Sequence, residues 1–416
     1  MKIVFYSSNS NIFYPETFKI DVLPSNQEQF IDFSKKHPEH QFIFVTQLPL
    51  MFMPESSVIL DQKLSYKEFA QKILELKPDI AVALSFWVSP YDWLSVNDAL
   101  IKDELEKNKI QTYCNPLSAS LISFDKYKTS QFLKIHKFTT PDSVFIDHDL
   151  YFCAGSHKEV LHNVYQDSIL SQIKNLKLPL VIKDTVGMSS YGVTVVHTYP
   201  EAMGYLNSKR NNSNRIIEEY IDGEHFGLEV YKSKNDFLVL DPYRFTLNQY
   251  GITSPKQSTK TGPVTDKKYK ISALKKEIKR LCSLLDIQTF CQIDLIFSGG
   301  KWFIIEINPR LSGMSFMYAK SFSRSIYDLI FDLCIQGNKK PYSKTPRAFI
   351  KDIKLDVMEK EKLTKLKNIP CVELLNQSND LAARQEREKG FCECIIKGSE
   401  EEIKGAEEEI KSLLSE

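Results

Sequence analysis

The hydrophobic pattern at the start of the chain consists of short extended runs. Residues 2–7 form one such run, and residues 79–85 form a continuous apolar run of the kind found in a parallel strand covered on both faces. A third extended piece, residues 110–114, leads into Pro116, where a helix cannot easily continue. The pattern predicts a small α/β domain over residues 1–115.

Residues 116–340 alternate between helical and extended patterns. The predicted elements are a helix at 126–136, strands at 178–184, 193–197 and 215–219, a helix at 271–285, and paired strands within 291–308. Helices mixed with antiparallel hairpins are typical of an α+β region, which differs from the opening domain.

The last part of the chain, residues 341–416, shows a mixed pattern. Its predicted elements are extended segments near 349–357, 371–375 and 391–396, followed by an amphipathic helix from Glu400 to Leu414. We interpret this region as a C-terminal α/β extension. Three roles stay open for it: a cover over the substrate, a dimerisation element of a homodimer, or a regulatory lobe.

Length and charge narrow the class of protein. A chain of 416 residues with 42% hydrophobic residues is long enough for two to four domains. Because 54 Lys and Arg nearly balance 53 Asp and Glu, neither nucleic acid nor an anionic membrane surface is an expected partner. No apolar run approaches the roughly 20 residues that cross a bilayer, and no export signal is recognisable. We therefore expect a cytoplasmic protein whose eight scattered cysteines are free thiols.

The segment from residue 294 to 310 carries the most informative chemistry. Glu306, Asn308 and Arg310 interrupt an apolar strand at every second position, so their side chains lie on one face. With Asp294 on the preceding strand, they form a set of oxygen ligands of the type that Mg²⁺ prefers. The alternative is a solvent-facing hairpin with ordinary surface charges.

Asp294 can join this face only if the hairpin is irregular. A two-residue turn at Gly299-Gly300 in simple register would pair residue 294 with residue 305 and would place Asp294 on the wrong face. The metal-site interpretation therefore predicts a longer turn or a β-bulge.

A second group of residues is typical of phosphate binding. A strand ends in Lys183 and is followed by a loop of small residues, whose backbone N–H groups can approach phosphate oxygens; the candidates in this loop are Gly187, Ser189, Ser190 and Gly192. It is not a Walker A motif, because the lysine precedes the loop. The alternative is a flexible hairpin without a ligand.

A third group follows a short apolar run. The adjacent carboxylates Glu218 and Glu219 are followed by Tyr220, Ile221 and a turn that reaches His225. A strand that leaves its sheet here has free backbone groups that can recognise an adenine edge. Two adjacent glutamates are otherwise ordinary solvated surface.

In this order, Asp125-Lys126, Lys183 with its loop, Glu218 to Ile221, and Asp294 with Glu306-Ile307-Asn308-Pro309-Arg310 resemble the ATP-grasp superfamily. The resemblance covers roughly residues 1–340. It implies a Rossmann-like α/β domain at 1–115, an ATP-grasp domain at 116–340 with a lid subdomain at about 140–220, and two sheets that clamp ATP.

The resemblance also implies roles for these residues. Lys126 and Lys183 would hold phosphates, the 187–192 loop would close over them, and Glu218 with the Tyr220-Ile221 backbone would bind adenine. The implied metal ligands, for Mg²⁺ or alternatively Mn²⁺, are Asp294, Glu306 and Asn308. Arg310 would stabilise an acyl phosphate and the tetrahedral intermediate. Where many members have a ribose-binding Glu, this chain has His225 beside Glu224.

Within the superfamily, the stretch from Asn308 to Met314 looks most like the L-amino-acid ligases that form dipeptides. In such a reaction a carboxylate is activated by ATP as an acyl phosphate and is then joined to an amine. The substrate-binding candidates are Arg244 and Lys260, from a polar segment that is either a lid or only a connection, and Ser312, Gly313 and Met314.

Two alternatives remain from the sequence. The first is another ATP-grasp chemistry: a carboxylase, a relative of D-alanine ligase, or an enzyme that forms carbamoyl phosphate. The second is a non-catalytic nucleotide-binding protein, which would have no reason to keep all of Asp294, Glu306, Asn308 and Arg310.

Overall fold

The fold is seen in a computed structural model. It describes residues 1–8, 21–23, 26–46, 57–61, 64–84, 94–154, 160–187, 192–208, 212–248, 251–253, 258–344, 348–379 and 390–415. The strands in these residues form three sheets.

The first sheet is parallel and has five strands, in the order β4 (Ser57–Ile59), β3 (Gln41–Thr46), β1 (Lys2–Ser7), β5 (Ile80–Ala83) and β6 (Gln111–Tyr113). Its helices are α1 (Asn26–Lys36), α2 (Tyr66–Glu75) and α3 (Leu94–Lys107). Val4 and Tyr6 pack with α2 and α3, whereas Ile3 and Phe5 pack with α1. The predicted parallel strands buried on both faces are therefore confirmed.

The second sheet is antiparallel and has four strands, in the order β7 (Ser143–Ile146), β10 (Arg215–Glu219), β8 (Leu180–Asp184) and β9 (Thr194–Val196). The helices of this region are α6 (His148–Tyr151), α7 (Val164–Ile173) and α8 (Tyr199–Leu206). Their apolar residues and one face of the sheet form a single core, which includes Ile169, Ile173, Ile182, Ala202 and Ile217. We call these four strands the lid sheet.

The third sheet has ten strands. Its main path is β16 (Lys301–Asn308), β15 (Phe290–Ser298), β11 (Glu224–Ser233), β13 (Tyr243–Phe245), β14 (Lys260–Gly262), β17 (Phe349–Leu355), β19 (Gly390–Gly398), β18 (Val372–Asn379) and β2 (Asp21–Leu23), with β12 (Asp236–Val239) paired to β11. Helix α9 (Ile271–Leu284) packs on one face, and α10 (Gly313–Ser321) packs on the other. We call this sheet the main sheet.

The C-terminal strands continue the main sheet. Lys260 on β14 lies opposite Asp352 on β17, so strands from before and after residue 340 are hydrogen-bonded to each other. Helices α12 (Lys360–Lys367) and α13 (Glu400–Ser415) pack on this end of the sheet. The domain boundaries at 115 and 340 stay predictions.

Three further helices are α4 (Leu117–Phe124), α5 (Lys126–Ile135) and α11 (Ile326–Ile330). Helices α4 and α5 contact β16, whereas α11 contacts α10 and α1. Six of the eight cysteines are buried, and all eight are free thiols, as predicted. A search of the described residues finds no helix with the length and apolar character of a membrane span.

Candidate nucleotide and metal site

A cavity lies between the lid sheet and the main sheet. It is lined by Lys126, Val181, Lys183, Asp184, Gly187, Val193, Val195, residues 218–221, His225, Phe245, residues 251–253, residues 294–296, Ile305 and Glu306, among others. Most of the candidates for nucleotide binding lie in this lining. Ser189 and Ser190 lie outside the described residues.

The β15–β16 hairpin contains the irregularity that the metal-site interpretation predicts. Asp294 pairs with Glu306, but the next residue, Leu295, pairs with Ile304, so Ile305 is the extra residue of a β-bulge. The turn itself is tight, because Gly299 and Gly300 take positive φ values of 54° and 75°. The predicted bulge is confirmed, and it places the two carboxylates on the same face.

A side-chain network orients the carboxamide beside these carboxylates. Gln292 donates a hydrogen bond from Nε2 to Oδ1 of Asp294 at 2.5 Å, and its Oε1 accepts one from Nδ2 of Asn308 at 2.8 Å. These hydrogen bonds orient the Asn308 amide, so its nitrogen faces Gln292 and its oxygen points away from Gln292. Sequence reasoning missed Gln292, although it lies two positions before Asp294 and thus on the same face of the strand.

Electrostatics favour a cation at this hairpin. Burial and the neighbouring Glu306 carboxylate raise the pKa of Asp294, because two nearby carboxylates repel each other in a partly dehydrated place. Two carboxylates and an amide oxygen suit Mg²⁺ or Mn²⁺, which take their remaining ligands from water and phosphate. The described residues contain no group of three or more His, Cys, Asp and Glu arranged for a metal, so Asn308 would complete this set.

Arg310 lies directly beyond the carboxamide. Arg310 is 8% exposed as a whole residue, and its guanidinium donates to Oδ1 of Asn308 at 3.1 Å and to the backbone oxygen of Leu311 at 3.0 Å. The same turn is held from behind by Asn115, which donates to the carbonyls of Pro309 and Phe290 at 2.9 and 2.7 Å. The end of the parallel domain therefore fixes the turn that carries Arg310.

Lys126 lies between the region of the lid sheet and the β15–β16 hairpin. The side chain of Asp125 caps α5 by accepting hydrogen bonds from the N–H groups of residues 127 and 128, which places Lys126 at the start of the helix. The Lys126 ammonium donates to the carbonyl of Gly187 at 2.6 Å and lies 3.7 Å from Oε1 of Glu306. This lysine therefore lies between Gly187, at the start of the predicted phosphate loop, and the carboxylate of Glu306 in the β15–β16 hairpin.

Lys183 and Glu218 face the cavity from neighbouring strands of the lid sheet. Their Nζ and Oε2 atoms lie 2.5 Å apart, and both side chains are buried. Gly192, at the far end of the loop, has a φ of +71°, and a Cβ there would lie 3.0 Å from Oδ2 of Asp184. Both the positive φ and the close approach to Asp184 favour a glycine at this end of the loop.

The adenine candidates lie at the end of β10. Glu219, Tyr220 and Ile221 line the cavity, and the carboxylate of Glu219 accepts a hydrogen bond from the backbone N–H of Lys177 at 2.9 Å. The Tyr220 hydroxyl donates to the carbonyl of Gly251 at 3.3 Å. Residues 251–253 thus form part of this wall, and no sequence motif pointed to them.

His225 and Glu224 lie on opposite faces of β11. His225 lines the cavity, and burial lowers its pKa to about 4, so the imidazole is neutral near pH 7. Its Nε2 has no hydrogen-bond partner within the part of the chain that the structure describes. Glu224 accepts a hydrogen bond from Tyr269 at 2.7 Å and is 3.3 Å from Nε of Arg244.

Arg244 therefore does not join the cavity. Its neighbour Phe245 faces the cavity, so Arg244 points to the opposite face of β13, where its guanidinium lies over the rings of Phe226 and Tyr269. We remove Arg244 from the candidate substrate residues. The sequence placed Arg244 in a polar lid or connecting segment and did not predict β13, the strand that sets the face it occupies.

The remaining substrate candidates lie around the start of α10. Ser312 is the N-cap of this helix, and its hydroxyl accepts a hydrogen bond from the N–H of Met314 at 3.1 Å. A Cβ on Gly313 would lie 3.8 Å from Nζ of Lys260, so the lysine and the first turn of the helix are neighbours. Met314 is buried against Gly227 of β11, beside Asp294.

The contact at Gly227 leads to a stability prediction. A Cβ at this position would lie 2.5 Å from Cζ of Phe245 and 2.7 Å from Sδ of Met314, so Gly227→Ala must displace one of them. We expect the free energy of unfolding to fall by about 1–3 kcal/mol, measured by denaturant titration. The control is Gly204→Ala in α8, where nothing lies within 4 Å of the new Cβ. It should stabilise by about 0.5–1 kcal/mol; equal stability of Gly227→Ala and the wild type would contradict the close packing.

With this geometry in place, comparison with known proteins identifies the class. The family described as "ATP-grasp domain" matches residues 123–314, which include α5, the lid sheet and the β15–β16 hairpin. Residues 123–314 are thus an ATP-grasp domain, and the chain has the ATP-grasp fold, as its sequence predicted.

Individual relatives are distant. The D-alanine–D-alanine ligase of Buchnera aphidicola subsp. Schizaphis graminum (strain Sg) is 28% identical over 247 residues, which cover 57% of this chain and 76% of that protein. The L-amino acid ligase from Bacillus licheniformis superposes with a TM-score of 0.70 at 16% identity over 100% of this chain and 97% of the other. N5-carboxyaminoimidazole synthetase from Staphylococcus aureus complexed with ADP gives 0.67 at 12% identity, with coverages of 99% and 96%. At these identities, the two structures show similarity of fold alone.

Proposed function

We propose that this protein is an ATP-dependent carboxylate–amine ligase that joins two amino acids into a dipeptide. In the first step, a carboxylate oxygen of one amino acid attacks the γ-phosphorus of ATP, and ADP leaves. In the second step, the amine of the other amino acid attacks the acyl carbon of the resulting acyl phosphate. Phosphate leaves, and the nitrogen loses a proton.

One observation carries this proposal. The bulge at Ile305 brings Asp294 and Glu306 together on the face that also carries Asn308 and Arg310, at the edge of a cavity that two lysines enter. Such a set binds and neutralises phosphate groups, and it includes no nucleophile or acid–base pair for covalent catalysis. The chemistry supported is therefore phosphoryl and acyl transfer between bound substrates.

The positively and negatively charged residues of the site have different roles. Lys126 and Lys183 bind phosphate oxygens from the lid side, and Gly187 with Gly192 frames the loop above them. Arg310 offsets the negative charge that develops on the acyl phosphate and on the tetrahedral intermediate. A divalent ion held by Asp294, Glu306 and Asn308 would supply Lewis-acid charge neutralisation for the phosphates.

Nucleotide and substrate binding use the rest of the cavity. Glu219 to Ile221 and residues 251–253 enclose the adenine, and the neutral imidazole of His225 takes the place of the more common acidic group at the ribose hydroxyls. Lys260, Ser312, Gly313 and Met314 form the amino-acid side of the site. The similarity to an L-amino acid ligase over the whole chain supports this choice among ATP-grasp reactions.

The test is phosphate release from Mg-ATP with L- and D-amino acids, added singly and in pairs. We expect release that depends on a particular pair, with the dipeptide detected by mass spectrometry and the activity lost on chelation of divalent ions. Glu306→Gln should lower the turnover at least about a hundredfold, because it removes one charged metal ligand.

A matched substitution controls for surface effects. Glu277→Gln changes an exposed glutamate on α9 that pairs with Arg280, and it should leave the turnover unchanged. Absence of phosphate release with every amino acid would reject the proposal and would direct the search to other carboxylates. Full activity of Glu306→Gln would reject the metal site.

A further inference from the structure

A buried carboxylate lies next to the site without belonging to the proposed chemistry. Glu229 on β11 is 3% exposed, and its Oε1 accepts hydrogen bonds from the hydroxyls of Ser312 at 2.8 Å and Ser315 at 2.6 Å. Its Oε2 accepts one from the hydroxyl of Tyr231 at 2.7 Å. One carboxylate thus connects the main sheet to the first turn of α10.

Burying a carboxylate costs free energy, so the hydrogen bonds that Glu229 accepts from Ser312 and Ser315 call for an explanation. Burial raises the pKa of Glu229 to about 7, and the hydrogen bonds from Ser315, Tyr231 and Ser312 limit this rise. Helix α10 does not need the acid as a cap, because Ser312 and Ser315 already form a capping box with each other's backbone N–H groups. The carboxylate therefore serves to hold the helix on β11.

The held turn is the one that positions the catalytic arginine. Ser312 follows Leu311, whose carbonyl accepts a hydrogen bond from the Arg310 guanidinium, and Arg310 also bonds to Asn308. Asn115 fixes the other side of this turn through the Pro309 carbonyl. If Ser312 moved, the acceptor of the guanidinium would move with it.

We propose that Glu229 is a positioning residue that fixes Arg310 by tying Ser312 and Ser315 to β11. It acts through the backbone at Leu311 and touches no substrate. This inference rests on the proposed function, since it assigns Arg310 a part in the transfer step. It predicts that the hydrogen bonds of Glu229 matter and that its negative charge does not.

Three variants separate these contributions. Glu229→Gln keeps an oxygen for both serines and an N–H group for Tyr231, so at least half of kcat should remain. Glu229→Leu removes the tie, and kcat should fall at least tenfold while KM for ATP changes less than threefold. Tyr231→Phe removes the bond to Oε2 without touching α10, and kcat should stay within twofold of the wild type.

The serines provide a second route if Glu229→Leu does not fold. Ser312→Ala combined with Ser315→Ala should lower kcat at least fivefold with KM for ATP unchanged. Added to Glu229→Leu, where that variant folds, it should cause little further loss, because both changes break the same tie. The inference is overturned by an unchanged kcat in the serine double variant, or by a Glu229→Gln variant as impaired as Glu229→Leu.

Hydrogen exchange separates failure of this inference from failure of the proposed function. If the wild type shows no turnover with any amino acid, the ligase proposal fails, but the tie can still be measured. Amides in the first turn of α10 should then exchange faster in the serine double variant than in the wild type, whereas Glu229→Gln should match the wild type. Equal exchange in all three proteins would overturn the role of Glu229.

Discussion

Replacing Lys354 with methionine is expected to lower the free energy of unfolding by about 3–5 kcal/mol. The Lys354 side chain is 3% exposed and donates to both oxygens of Asp352 at 2.8 Å and to Glu393 on β19. Lys260 approaches the same pair, at 2.9 Å from Asp352 and 3.8 Å from Glu393. Two lysines thus balance two buried carboxylates.

The variant loses stability because it keeps two buried carboxylates but only one of the two lysines that balance them. Without Lys354, Lys260 alone would face two carboxylates, of which Asp352 is fully buried. Burial lowers the pKa of Lys260, but the carboxylates of Asp352 and Glu393 raise it by more. The net shift of the pKa is upward, and the ammonium stays charged. The variant therefore buries one uncompensated negative charge, which costs several kcal/mol.

Two controls accompany this measurement by denaturant titration. Lys354→Met combined with Glu393→Gln leaves one lysine and one carboxylate, so part of the stability should return. Lys351→Met on the opposite face of the same strand breaks only a partly exposed pair with Glu407, whose side chains are 25% and 24% exposed, and it should cost less than about 1 kcal/mol. A loss below 1 kcal/mol for Lys354→Met would contradict the charge balance.

Arg310→Met is expected to lower kcat about a thousandfold, with the dissociation constant for Mg-ATP changed less than about threefold. In the proposed reaction, the guanidinium would supply a charged donor where negative charge develops during transfer, and removal of such a donor typically costs about 10²–10³ in rate. The Arg310 guanidinium lies at the turn after β16, bonded to Leu311 and Asn308, so nucleotide binding to the lid sheet should persist. Single-turnover kinetics and calorimetry measure the two quantities.

Arg310→Lys is the informative control. A lysine has one point of attachment and cannot span both the Leu311 carbonyl and the Asn308 amide oxygen, so it should recover less than a tenth of the activity. Equal losses of nucleotide affinity and of kcat in Arg310→Met would instead assign the arginine to ATP binding.

Local pattern was enough to predict much of the fold. Periodicity within short stretches of chain predicts several of the observed elements. They are the strands at 180–184, 194–196 and 215–219, the helices at 126–135 and 271–284, and the β15–β16 hairpin. The bulge at Ile305 was predictable for a different reason. Two ligands must share a face, and a regular two-residue hairpin would have separated them.

Other features escaped the sequence because they depend on contacts between distant segments. Glu229 and Ser312 are 83 positions apart, and no periodicity relates them. Arg244 was a substrate candidate from a polar segment, and its place on the face away from the cavity is set by β13, a strand of three residues that the pattern did not predict. Residues 251–253 line the cavity, and no sequence motif pointed to them.

The sequence by itself determined that Glu306 and Asn308 share one face of the β15–β16 hairpin, since their alternation is a property of one strand, and that Arg310 follows them in the next turn. It also determined the lysines available for phosphate, because their motifs are local. Only the tertiary structure decided that Lys126 meets both Gly187 and Glu306, and that C-terminal strands hold Lys260 beside α10. Such contacts join distant segments, 61 positions apart for Lys126 and Gly187, and they leave no periodic trace along the chain because they depend on how distant strands and helices pack together.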